Sequence, residues 1–186
     1  TDGGQTFTQV LNVAFWHMDE DAAGNLYGAK YNPSNGAQVW KSTNGGVNWT
    51  NISSPSWTAA NTYHVHNVRV DPSSGWLYAA VGEGPTGFNK GGIWRSKLRD
   101  GSDWVYKYGA SNGSIPPIGI VFNGSDIYVG MEIDVLGVYK FQDDGTNNLQ
   151  VMSDSQRVLY DQETQNPFYL EKDPSGRLWV TGVPEE

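Results

Sequence analysis

The feature that most constrains this chain is a spacing. A glycine-bearing turn followed by an aromatic strand recurs four times: "GNLY" ending at Tyr27, "GWLY" at Tyr78, "GSDIY" at Tyr128 and "GRLW" at Trp179. The successive gaps are 51, 50 and 51 residues. A second marker runs in phase with the first. "QVWKS" around Trp40, "GIWRS" around Trp94 and "GVYKF" around Tyr139 each place a β-branched residue, an aromatic and a base in that order. After each comes a polar glycine turn: "TNGGVNW", "RDGSDW" and "DDGTNNL". Before each first turn stands a short strand-like segment, in "AFWHMD", "HVHNVRVD", "IGIVFN" and "FYLEKD".

One period therefore reads strand, Asp- or Asn-bearing turn, strand, loop, strand, glycine turn, strand. Four short antiparallel strands in about 50 residues is the pattern of a β-propeller blade, a unit that buries its faces only against neighbouring units. The fold class expected is all-β, with four-stranded antiparallel blades. Residues 1–186 are expected to form a single propeller segment of about four blades, the first and last incomplete. The chain opens on "TDGGQTF", inside a turn. That predicts either a segment of a larger propeller or self-association.

Bulk properties agree and exclude several classes. The chain has 186 residues, with eight Trp, ten Tyr and 23 Gly, and few helix formers in runs. Its formal net charge of -8 argues against nucleic acid, whose phosphates need a basic face. There is no cysteine, so disulfides and thiolate metal sites are excluded. No apolar run approaches the length of a membrane-spanning helix.

The stretch "KSTNGGVNWT", Lys41 to Thr50, could be a phosphate loop or a hairpin turn. A phosphate loop needs a helix after the glycines, and none is predicted here. The stretch resembles the Asp box, the bacterial neuraminidase repeat, roughly Ser-x-Asp-x-Gly-x-Thr-Trp. Ser42, Asn44, Gly46 and Trp49 match it, with Asn44 for Asp and Asn48 for Thr. Asp2, Gly4, Thr6 and Phe7 match without the leading Ser, "SKLRDGSDW" is a stretched copy, and "DDGTNNL" a decayed one. The resemblance implies a structural turn: a side chain bonding backbone donors, glycines at positive φ, and Trp49 buried as a wedge between blades. It also implies the company of sialidases, xyloglucanases and other secreted sugar-active propellers, with the boxes on the rim away from the active face.

A fold does not name a function, so the site must. Sialidases clamp a carboxylate with three arginines and carry an Arg-Ile-Pro motif. That motif is absent, and Arg69, Arg95, Arg99, Arg157 and Arg177 sit at local repeat positions. A complete sialidase site is not expected. A carboxylate-pair glycosidase needs two acidic side chains flanking the scissile bond; the catalytic candidates are Glu83, Glu132 and Asp134, just past second strands, against the plainer reading of solvated loop carboxylates. His17, His64 and His66 are the three histidines of the chain, and all are expected in first strands, His17 one period before the other two, an arrangement that brings three imidazoles toward one end of the propeller's central channel. With Arg69 they are the ligand-binding candidates, the alternative being histidines that merely pack. No metal and no cofactor is expected. Trp16, Trp57 and Phe88 are candidates for stacking on sugars. Asn48, Asn51, Asn112 and Asn123 begin glycosylation acceptor triplets.

Two functional readings follow. The first is a secreted or cell-surface propeller that binds or acts on carbohydrate, a glycoside hydrolase-like activity included. The second is a non-catalytic structural, adhesive or fibre protein built from the same blades. The expected partners are a glycan and, through self-association, further blades.

Overall fold

The computed structural model describes residues 6, 8–30, 36–59, 62, 64–82, 91–110, 115–131, 137–159 and 165–184. Among these residues there is no α-helix, and a single 3-10 turn occurs at Asp154–Gln156. Antiparallel sheets follow one another along the chain.

The first sheet holds β1 (Phe15–Glu20), β2 (Leu26–Lys30), β3 (Gln38–Ser42) and β4 (Thr50–Asn51), adjacent in chain order. The second holds β5 (Val65–Val70), β6 (Leu77–Val81), β7 (Gly92–Ser96) and β8 (Val105–Gly109), again in order. The third is built on β9 (Pro117–Asn123), β10 (Asp126–Met131) and β11 (Gly137–Phe141). The hairpin of β14 (Gln165–Lys172) and β15 (Leu178–Pro184) forms the fourth.

The two sequence markers are cross-strand partners. Tyr27 faces Lys41, Tyr78 faces Arg95, and Tyr128 faces Lys140. Because strand side chains alternate between faces, each marker fixes which face of its sheet points where. Tyr27, Ala29 and Val39 of the first sheet pack on Val65, Val68, Leu77 and Trp94 of the second. Tyr78, Ile93 and Tyr108 on the second sheet's other face pack on Ile120, Val129 and Tyr139 of the third. Val121 and Val138 on the third sheet's other face meet Leu170 of the fourth. The sheets thus stack in chain order, each sharing one core with the sheet before and another with the sheet after. Their first strands β1, β5, β9 and β14 lie side by side along one edge of the stack.

Turn chemistry explains how each strand pair closes. Asp21 accepts hydrogen bonds from the amides of Ala23 and Asn25, the Asn25 side chain and the Tyr27 hydroxyl. Asp71 holds Ser73 and Ser74 in the same way, and Asp173 holds Ser175, Arg177 and Trp179. In the box-like turn the Asn48 amide donates to Asn44 Oδ1 at 2.8 Å and the Gly46 amide to Ser42 Oγ at 2.9 Å. Gly45 and Gly46 have φ of 66° and 87°, the left-handed region expected of them.

Two details depart from expectation. Trp49 is half-buried, not wedged between sheets: its indole N–H donates to Gly46 O at 2.8 Å and its ring lies 5.0 Å from Phe15. That is the outer face of the first sheet, which no described segment covers. The wedge role belongs to Trp104 of the second sheet, which is 8% exposed within the first core and donates to Ile52 O at 2.7 Å. The chain after "DDGTNNL" also departs. It does not pair with β11 at once; β12 (Gln150–Val151) runs parallel to β8 of the second sheet, and only β13 (Arg157–Leu159) pairs with β11. The reason is electrostatic. Arg95 binds Asp143 at 2.7 Å, Lys107 binds Asp143 and Asp144, and Lys97 donates to Gly145 O, so cations of the second sheet hold this turn to themselves.

Candidate functional site

The stack gives its first-strand edge two chemically distinct ends. Strand direction places His64 and His66 at the end where first strands begin and second strands finish. The first-to-second-strand turns and the box-like turns lie at the opposite end, where Arg99 crosses to Asp21 at 3.1 Å.

At the first end His64 and His66 are both buried, at 5% and 8% exposure, and their Nε2 atoms lie 2.6 Å apart. His66 Nδ1 lies 2.7 Å from the carbonyl oxygen of Pro117, at the start of β9. A carbonyl only accepts, so His66 Nδ1 carries a proton. In neutral His66 the Nε2 is then an acceptor, and His64 Nε2 donates to it. That is a hydrogen-bond separation; two nitrogens sharing a zinc ion would each stand about 2 Å from the metal. Gly82, just after β6, makes room for the pair: a Cβ there would sit 2.5 Å from His64 Nε2. Over the pair lies the indole of Trp16, with ring centroids 5.3 Å from His66 and 6.2 Å from His64. Trp16 is 42% exposed. The arrangement leaves the indole of Trp16 partly exposed beside a buried, hydrogen-bonded imidazole pair.

A β-bulge at Trp16 breaks the register of β1 between Phe15, which pairs with Lys30, and His17, which pairs with Ala29, so that Trp16 sits over the histidine pair while His17 lies further along β5. Its surroundings are β5 and Arg69. Burial, and then the Arg69 charge, push its imidazole down to about 4. Arg69 is committed to carboxylates: it donates to both oxygens of Glu171, at 2.8 and 2.5 Å, with Asp19 at 3.9 Å. The Val70 amide donates to Asp19 as well. These contacts tie β1, β5 and β14 together beside a cavity of about 270 Å³ that is also lined by Val121 and Lys172.

The candidates thus divide. His64 and His66 come together; His17 lies apart from them, nearer the turn end, beside Arg69, which is ion-paired with Glu171 and Asp19. Glu83, Glu132, Asp134 and Phe88 lie outside the described residues. Trp57 is buried at 6% exposure against Trp94 and Trp104 in the first core, so it is packing and not a sugar platform. Among the described residues no group of three or more His, Cys, Asp or Glu is arranged to hold a metal ion, and no helix is long and apolar enough to cross a membrane. Gly82, Pro117, Asp19 and Glu171 were not singled out by sequence reasoning. Gly82 had a signal, since it ends the apolar run Leu77–Val81 of a second strand; Glu171 had none, being 102 residues from Arg69.

No protein-family model matches the chain, and no curated protein matches it. Among solved structures, the computationally designed Ika4 protein aligns over 96% of this chain and 99% of its own, at 10% identity and a TM-score of 0.48. A likeness of that size does not establish a shared fold.

Proposed function

We propose that the stacked sheets are successive blades of an Asp-box β-propeller, and that the end of their first strands marked by Trp16 binds carbohydrate outside the cell. The observation that carries the binding reading is the exposed Trp16 indole beside the buried His64–His66 pair. A flat aromatic face takes the C–H face of a pyranose ring, buries apolar area, and leaves the sugar hydroxyls to polar neighbours. The buried histidines hold the indole in place; Trp16 makes the contact. The blade reading is supported by the in-phase markers, the chain-order stacking and the alignment of first strands on one edge. The Ser42–Trp49 turn supports the Asp-box reading through its internal hydrogen bonds. A glycan array combined with a polysaccharide-hydrolysis screen tests the function. Binding to at least one glycan is expected; release of reducing sugar would extend the reading to a glycoside hydrolase. Absence of glycan binding would leave the second reading, a structural or adhesive blade protein, which the exposed aromatics Tyr169 and Trp179 on the last sheet favour.

A further inference from the structure

The two ends of the stack are the two halves of one recurring interface. In the first core the second-strand aromatic Tyr27 meets a sheet face carrying Leu77, Trp94 and Trp104. In the second core Tyr78 meets the equivalent face carrying Ile127 and Tyr139. Second-strand aromatics therefore always face the following sheet, and third-strand aromatics the preceding one. A turn between third and fourth strands crosses the first two of the three junctions: Arg99 reaches Asp21 in the first, and Asp143 receives Tyr78 and Arg95 in the second.

Each half is exposed once. On the last sheet Trp179 stands where Tyr27 and Tyr78 stand, paired across the hairpin with Glu171, while Tyr169 pairs with Thr181 on the same face. Tyr27 and Tyr78 are 0% and 1% exposed, whereas Trp179 and Tyr169 are 58% and 59% exposed. On the first sheet Leu26 and Trp40 stand where Leu77 and Trp94 stand, with Trp49 in the place of Trp104 and Val47 of the adjoining turn 60% exposed. Leu77, Trp94 and Trp104 are buried, but Leu26, Trp40 and Trp49 are only half-buried.

We infer that a second copy of this chain docks head to tail, its Leu26–Trp40–Trp49 face covering the Trp179–Tyr169 face of the first. The occupant follows from continuity. The chain already makes this junction within itself, and it carries both unmatched halves in the right hand. Such a contact is heterologous, so it adds further copies until rotation closes a ring, or continues as a filament. The inference rests on the blade reading of the sheets and not on carbohydrate binding.

Sedimentation equilibrium across a concentration series tests it. The parent chain should rise from its 20.5 kDa monomer mass to twice that mass or more as concentration increases. Trp179→Lys and Trp40→Lys should each hold the monomer mass alone, and mixing the two should restore a two-chain species, because each keeps one intact face. If circular dichroism shows Trp40→Lys unfolded, Val47→Lys in the exposed turn replaces it. A parent that stays monomeric throughout overturns docking, as does association that survives in Trp179→Lys alone or a mixture that stays monomeric. Failure of the blade reading shows elsewhere: Tyr27→Ala would then leave the melting temperature unchanged.

Discussion

His64 and His66 face each other across a 2.6 Å Nε2–Nε2 separation that admits one proton, and the backbone at Gly82 sets how close they come. Their depth beneath Trp16 makes them a base for the exposed indole, so the behaviour of the pair bears directly on the proposed binding surface.

Gly82→Ala should therefore separate the two rings. The Gly82 backbone is not in the left-handed region, so the cost comes from the collision of its Cβ with His64, on the order of 1–3 kcal/mol as for other overpacked sites. Imidazole nitrogen NMR should show the His64–His66 hydrogen bond lost. Ring resonances identical to the parent would contradict the geometry.

His17 should make the chain acid-sensitive. Its imidazole titrates at about 4 in the folded chain against an ordinary value near 6.5, so the unfolded chain takes up the proton first as pH falls. The stability it contributes is complete above pH 6.5, declines between about 6.5 and about 4, and levels off below. The total loss across that window is about 3 kcal/mol. His17→Leu should remove that part of the pH dependence in urea melts, and an unchanged slope between pH 6.5 and 4 would contradict the assignment.

Trp104→Ala should cost about 3–5 kcal/mol, as a large-to-small change in a core, and Trp49→Ala clearly less. Both residues end glycine turns of similar sequence, but only Trp104 is covered by a neighbouring sheet. Equal losses in paired thermal melts would place the two rings in the same environment and contradict the stack.

Arg95→Ala should be among the most disruptive single changes. The side chains of Arg95 and Asp143 are 1% and 5% exposed, and Asp143 would keep Lys107 as its one cation, beside the Tyr78 hydroxyl. Removing one partner of a buried pair costs about 3–5 kcal/mol. The loss should appear as a lower melting temperature together with release of the Asp143–Asn147 turn, read by hydrogen exchange at Gly145. A melting temperature within error of the parent would show that the ion pair does not hold the turn.

The strand plan was legible because it depends on local rules. Alternation, Asp-bearing turns and glycines at positive φ act within a few residues, and the period of Tyr27, Tyr78, Tyr128 and Trp179 exposed the repeat directly. Which of two similar turns lies under a neighbouring sheet was not legible, because Trp49 and Trp104 differ in what packs on them and not in their own surroundings in sequence. The parallel pairing of β12 with β8 was equally hidden, since it depends on Arg95, Lys97 and Lys107 reaching a turn 37 to 52 residues away. At the site, a spacing of two residues put His64 and His66 on one face. Equating His17 with them failed because a β-bulge at Trp16 shifts the register of β1 and leaves Trp16, not His17, over the pair.

The central claim is that Trp16 is the contact surface for carbohydrate. Affinity electrophoresis of the parent chain and of Trp16→Ala, in gels containing soluble polysaccharides chosen from a glycan array, tests it most directly. Trp16 is substantially exposed, so the variant should keep its melting temperature and circular dichroism. The account predicts that at least one polysaccharide retards the parent and that Trp16→Ala runs as if no polysaccharide were present. Equal retardation of the two proteins, or no retardation of the parent by any polysaccharide, would contradict it.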